Sequence, residues 1–210
     1  MPGQMPHEQI HLQKVLGDFM QWCMKFPLKD YSIILGIALT AFLAIPTTGV
    51  HAADSHSFKV SDTQFEAPSA WEKIKPSSSM RKAQFAVARD GISDKGEIIF
   101  YYFGPGGAGG TKANVQRWYR QFKESDNQLG ATSEKMEVDG TAVTLVKATG
   151  TFLSGSPLGP KTAKPNYSLL GAIVESPKGH IFIKFTGPRD LVKDAEKEFK
   201  GMVEKAKILR

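Results

Sequence analysis

The chain has 210 residues, a formal net charge of +6, 41% hydrophobic residues and one cysteine, Cys23. A lone cysteine excludes a disulfide framework and a cysteine-rich zinc site. Lys14, Lys25 and Lys29 balance Glu8, Asp18 and Asp30 in the first 52 residues, so the charge surplus belongs to the part that follows.

Tyr31 to Ala53 holds no Lys, Arg, Asp or Glu, and its apolar centre runs from Ile33 to Ile45. Lys25 and Lys29 precede it, and Pro46 and the tail T-T-G-V-H-A-A follow. Basic, apolar and then small residues are the three parts of a secretory signal. The apolar run falls short of the ~20 residues of a spanning helix, although an uncleaved membrane anchor is the rival reading. Residues 24–52 are therefore expected to be a signal peptide, cut after Ala52, with the remainder exported to the periplasm or secreted. In either case Lys25 and Lys29 would hold the N-side in the cytoplasm. Met24 opens an ordinary basic n-region, M-K-F-P-L-K-D-Y. It is the candidate start, with residues 1–23 a doubtful upstream segment; the alternative is a short amphipathic cytoplasmic tail. Cys23 precedes the apolar run, so there is no lipobox.

Residues 53–57 read as a flexible lead to a single α/β domain over 58–210. Phe58 to Val60 is the first candidate strand, and F-E-A-P-S-A-W (Phe65 to Trp71) ends in an aromatic anchor. Lys82 to Arg89 alternates as a strand should, and Glu97 to Phe103, apolar and aromatic throughout, reads as a central strand. A glycine run, Gly104 to Gly110, leads into a helix over Thr111 to Ser125. Val115, Trp118, Tyr119 and Phe122 form its apolar face. Two strands, Thr132 to Val138 and Thr141 to Ala148, flank Asp139-Gly140, a type I′ hairpin signal. Gly150 to Ser168, rich in Gly, Pro, Ser and Lys, reads as a long functional or disordered loop. A second hairpin joins Leu169 to Glu175 and His180 to Thr186. A final helix starts near Pro188 and buries Leu191, Ala195, Phe199, Met202 and Ala206.

Hairpins dominate this order. The expected fold is thus an α/β sandwich: a largely antiparallel sheet of about six or seven strands, with amphipathic helices packed on one or both faces. The F-E-A-P-S-A-W segment with its Pro-x-x-Trp motif, the β-rich middle split by one helix, and the closing helix together resemble the PsbP-like fold. That family is named for an extrinsic subunit of photosystem II and shares its architecture with Ran-binding Mog proteins. The resemblance implies this fold and a non-catalytic binding module, and it implies no site residue.

G-P-G-G-A-G, Gly104 to Gly109, satisfies G-x-G-x-x-G between a strand and a helix. A dinucleotide site is disfavoured because hairpins, rather than a parallel crossover, follow it. Thr111 and Lys112 stand in the wrong order for a P-loop. Two readings remain. One is a plain connection. The other is a site for a small anion or acidic group, built from Gly106, Gly107, Gly109, Gly110 and Thr111 with Lys112 and Arg117. A cut after Ala53 would create a second candidate: an N-terminus of Asp54, Ser55 and His56, a square-planar set suited to Cu(II) or Ni(II). No other metal and no cofactor is expected. Past the leader only His56 and His180 remain, which leaves a Ser-His-acid triad thinly supplied. The aromatics Phe100, Tyr101, Tyr102, Phe103, Trp118 and Tyr119 are expected in the core. Nucleic acid is an unsuitable partner, because export leads away from it and no basic cluster with interleaved aromatics is present.

The expected function is an exported, non-enzymatic binding or accessory domain, with an unknown protein or an anionic envelope component as partner. Gly104 to Thr111 and Gly150 to Ser168 are its candidate contact regions. An envelope hydrolase with spatially paired carboxylates and a membrane-anchored structural subunit are the alternatives.

Overall fold

A computed structural model describes residues 55–155 and 159–210. The upstream segment, the leader with its cut, and Asp54 lie outside the described residues. Five strands come first: β1 (Ser55–Val60), β2 (Thr63–Pro68), β3 (Glu72–Ile74), β4 (Arg81–Val87) and β5 (Gly96–Tyr102). Helix α1 (Thr111–Tyr119) follows, then β6 (Thr132–Val138), β7 (Thr141–Ser154), β8 (Thr162–Val174) and β9 (Ile181–Pro188). Helices α2 (Arg189–Asp194) and α3 (Glu196–Glu204) and strand β10 (Lys207–Ile208) close the chain. Among the described residues no helix is long and apolar enough to cross a membrane.

Two antiparallel sheets result: seven strands in the order β3-β4-β5-β9-β8-β7-β6, and three in the order β1-β2-β10. The expected α/β sandwich is present, with a second small sheet that the sequence analysis did not separate. Because side chains alternate along a strand, each central strand of the large sheet feeds two cores. Phe85, Phe100, Ile183 and Phe185 point into the larger core, together with Phe65 of β2, Trp71, Leu191 and Phe199. Leu169, Ile173 and Phe182 point the other way, under Val115, Trp118 and Tyr119 of α1. Trp71 is fully buried, as its anchor role requires. Its Nε1 donates to Glu198 Oε2 at 3.2 Å, and Arg89 Nη2 meets the same oxygen at 2.6 Å.

Four expectations need correction. Ser55 to Ser57 are no flexible lead, since they pair with Pro68 to Glu66 of β2. Helix α1 stops at Tyr119 rather than Ser125. Its continuation is claimed by β7: Lys123 N donates to Thr151 O at 2.9 Å and Leu153 N to Gln121 O at 2.7 Å, a pairing that a helical backbone cannot make. Gly150 to Ser168 is no long loop. β7 and β8 extend through it as a hairpin arm, pairing Gly150 with Tyr167 and Ser154 with Thr162 around a bulge between Gly150 and Phe152. Finally, the closing helix is broken at Ala195 into α2 and α3, and Pro188 caps α2 as the last residue of β9. Its expected stripe, Leu191, Ala195, Phe199, Met202 and Ala206, is buried.

The Asp139-Gly140 turn has φ of 49° and 71°, the positive values that a type I′ hairpin needs at both central positions. Its carboxylate also stitches the C-terminus, with Asp139 Oδ2 accepting from Ile208 N at 2.8 Å.

Candidate functional site

The glycine run is a closed turn rather than an open cradle. Buried Asn114 donates through Nδ2 to the carbonyls of Ala108 at 2.9 Å, Gly109 at 3.3 Å and Gly110 at 3.0 Å. Gly107 N donates to Gly104 O at 3.1 Å. Gly107 must lack a side chain, because a Cβ there would strike the backbone of Phe103. The Thr111 hydroxyl donates to Glu175 Oε1 at 2.7 Å, which brings a protein carboxylate to the first turn of α1. A free anion would compete with that carboxylate at the positive helix end.

The structure divides the expected anion set. Gly110, Lys112 and Arg117 line one shallow depression along α1 together with Ala113, Gln116 and Arg120; Gly106, Gly107, Gly109 and Thr111 lie outside it. Lys112, Arg117 and Arg120 are exposed. Arg117 Nη1 donates to Asn114 Oδ1 at 2.6 Å, so the amide that ties the glycine turn also holds this guanidinium. Among the described residues none of the three cations is in an ion pair. Arg120 was not among the residues that the sequence analysis gave to the site.

Of the conditional metal set, Ser55 and His56 stand in β1 opposite Pro68 and Ala67. His56 Nε2 lies 3.1 Å from Trp71 O. A chelate at this end would have to peel β1 from β2. Among the described residues no group of three or more His, Cys, Asp or Glu side chains is gathered as metal ligands would be. His180 is partly exposed and sits edge-on to Phe182, with ring centroids 6.1 Å apart.

Two carboxylates, Asp94 and Asp190, line one cleft with Asn166, Tyr167 and Arg189. Asp94 accepts from Tyr167 OH at 2.6 Å, and Lys164 Nζ lies 3.4 Å away. These bonds hold its carboxyl below the usual range, which suits a fixed anion and not a proton donor.

The other half of the α1-side face carries what the sequence analysis missed. Neighbouring strands there align Gln84, Ile99, Lys184 and Gly171 in one row, and Tyr101, Phe182 and Ile173 in the next. Trp118 of α1 covers Gly171, where a Cβ would collide with the indole. Over the β4-β5-β9 side, Arg81 Nη1 donates to Gln84 Oε1 at 3.1 Å and Glu97 Oε1 at 3.0 Å, and Gln84 Nε2 donates to Glu97 Oε1 at 2.8 Å. Lys184 Nζ donates to Gln121 Oε1 at 3.0 Å and lies 5.7 Å from the Phe152 ring centroid. Burial pushes this ammonium down to about 8, against the pull of nearby Glu97. The available signal was one lysine interrupting the apolar run I-F-I-K-F. Phe103, expected in the core, is 43% exposed.

No protein-family model and no curated protein sequence matches the chain. Solved structures resemble it at low identity. The solution structure of the cyanobacterial PsbP protein CyanoP from Synechocystis sp. PCC 6803 aligns over 76% of this chain and 95% of its own, at 14% identity and a TM-score of 0.48. A protein of unknown function from Pseudomonas aeruginosa aligns over 72% of this chain and 94% of its own, at 14% identity and a TM-score of 0.40. A crystal structure from Bacteroides thetaiotaomicron VPI-5482 aligns over 73% of this chain and 48% of its own, at 10% identity and a TM-score of 0.42. The chain is thus similar in fold to PsbP-like structures, and the likeness gives no residue a role.

Proposed function

We propose that this chain is an exported, non-enzymatic accessory domain that docks an acidic protein surface of the cell envelope on the outer face of α1. The observation that carries the reading is the row of exposed cations Lys112, Arg117 and Arg120, none of which is in an ion pair among the described residues. Like charges three or four residues apart on a helix repel, and Arg117 and Arg120 are so placed. An acidic partner would relieve that cost and gain from it. The leader-like N-terminus supports the envelope as the place, and the surplus of +6 supports acidic partners.

The test has two arms. In the first, cells expressing the tagged chain are fractionated and the exported form is sequenced from its N-terminus, with Ala53 expected first; a chain held in the cytoplasm would refute the location. In the second, the purified exported protein is passed over a polyglutamate surface. Retention is expected to fall with salt and to vanish in K112E/R117E/R120E, but to survive K193E/K197E on the exposed face of α2 and α3. Equal loss in both variants would reduce the effect to bulk charge and overturn the docking face.

A further inference from the structure

We infer that this chain pairs with a second copy of itself through the outer edge of β6, antiparallel about a twofold axis at Met136, so that Lys135 of each copy stands opposite Glu137 of the other. This edge is neither the outer face of α1 nor the glycine turn, so the pairing stands independently of the docking surface proposed above.

The first observation is an open ladder. β6 ends the seven-stranded sheet, with β7 on its inner side. Successive residues of an antiparallel strand turn their N–H and C=O groups to opposite edges. Ala142 O accepts from Glu175 N, just past β8, at 2.9 Å, so Ala142 faces β8 while its neighbours Thr141 and Val143 face β6. Their register partners Val138 and Met136 face back. The alternate residues Ser133, Lys135 and Glu137 therefore turn their backbone groups outward. All three are exposed, and among the described residues no hydrogen bond reaches those groups. A row of this kind is a template for another strand.

The second observation says which strand. Lys135 and Glu137 carry opposite charges on one face of β6, and among the described residues neither is in an ion pair. A second β6, laid antiparallel with Met136 on Met136, sets each Lys135 across from a Glu137. Such pairs exchange backbone hydrogen bonds, and opposite charges directly across a ladder attract. The twofold axis repeats the gain. A shift of two residues either way keeps the outward groups in phase, but it sets Lys135 on Lys135 or Glu137 on Glu137, which is repulsive. Charges that blunt an edge against other strands thus admit this one in a single register. Met136, half-buried against the larger core, meets its own copy across the axis. Because cross-strand partners share a face, the two large sheets continue into one with both α1 layers on the same side. The contact is isologous and closes at two copies. Strand pairing alone buries little surface, so dilution separates the pair.

The test is sedimentation velocity on the purified exported protein at concentrations up to about 1 mM, a range that resolves a weak pair. The mass is expected to move from monomer to dimer. K135E and E137K should each weaken the association about 10-fold, since the twofold axis turns two attractive pairs repulsive. The exchange K135E/E137K restores both pairs and should bring the dimer back, and K112E/R117E/R120E should leave it unchanged. Register is read by oxidation with diamide in a Cys23→Ser background. Met136→Cys should cross-link two chains, because facing residues of a pair without backbone hydrogen bonds lie within disulfide reach, and Lys135→Cys should not. A monomer at every concentration overturns the proposal. So does a dimer that K135E/E137K leaves no tighter than either single variant, or one in which Lys135→Cys cross-links as readily as Met136→Cys.

Discussion

Lys184 places an ammonium on a strand whose neighbours Ile183 and Phe185 are fully buried. Its pKa is lowered to about 8 from 10.5, chiefly by burial, so the folded state resists the charged form. Below pH 8 the lysine is charged in both states and the cost is fully present. Between pH 8 and 10.5 the folded chain has lost the proton while the unfolded chain still holds it, so stability rises with pH. Lys184 keeps some solvent access, which sets the cost at ~2 kcal/mol rather than the full value of the shift. Lys184→Met should therefore stabilise the protein by about that much at pH 7, and by clearly less at pH 9.5, as read by denaturant unfolding. That range stays below the titration of Tyr101, which burial raises. An unchanged gain at both pH values would refute the assignment. Gly171 makes the opposite point on the next strand. Trp118 lies where its Cβ would be, so Gly171→Ala overpacks the smaller core and should cost ~1–3 kcal/mol. Trp118→Leu in the same chain should recover part of it, because the two residues touch. Neither position announces its role in the sequence. A glycine in a strand reads only as a weak point until the ring above it is known.

At the scale of elements, what could be read depended on whether local pattern or tertiary pairing decided the outcome. The two hairpins, the stripe of α2 and α3 and the apolar face of α1 follow from period and turn chemistry, and the structure has them. The arm formed by the ends of β7 and β8 was hidden by composition. Pro165 cannot donate to a ladder, and it is tolerated because β8 pairs with β9 only from Tyr167 onward. Two carboxylates fasten this arm. Asp94 takes the Tyr167 hydroxyl, and Glu124 Oε2 accepts from Thr151 N at 2.8 Å. Both are held below the usual range: Asp94 by Tyr167 first and Lys164 second, Glu124 by the hydroxyl and then the amide of Thr151. Folded-state pKa values below the unfolded ones mean that the fastening persists at neutral pH and is lost as pH falls through the folded values. Acidification below about pH 4 should free the arm before the sheets unfold, seen as loss of the Thr151 amide shift by NMR. In Tyr167→Phe the Asp94 carboxyl should titrate at higher pH than in the parent. An unmoved titration would show that the hydroxyl does not hold Asp94.

For the whole molecule, the question is whether the two cores are one cooperative unit. α1 has nine residues, fewer than the ~12–15 an isolated helix needs to be even marginally stable, so it depends on the sheet beneath it. The sheet depends on α1 in return. Without it Leu169, Ile173, Phe182 and Val146, now almost fully buried, would form a continuous apolar surface of the kind that folded monomers rarely expose. The same strands β8 and β9 supply Leu170, Ala172, Ile181 and Ile183 to the larger core, so losing order on one face disturbs the other. Each core holds one tryptophan: Trp71 in the larger and Trp118 in the smaller. In a Trp22→Phe background, Trp118→Phe leaves a reporter of the larger core and Trp71→Phe a reporter of the smaller. Trp71→Phe should lower the midpoint more, because it also leaves Glu198 without its indole donor. Within each variant the fluorescence transition should coincide with that of far-UV circular dichroism, the behaviour of a two-state domain. If Trp118 reports a transition at lower denaturant than the backbone does, the α1 layer is a separable cover. The glycine turn and the cationic face it carries would then open independently of the sheet.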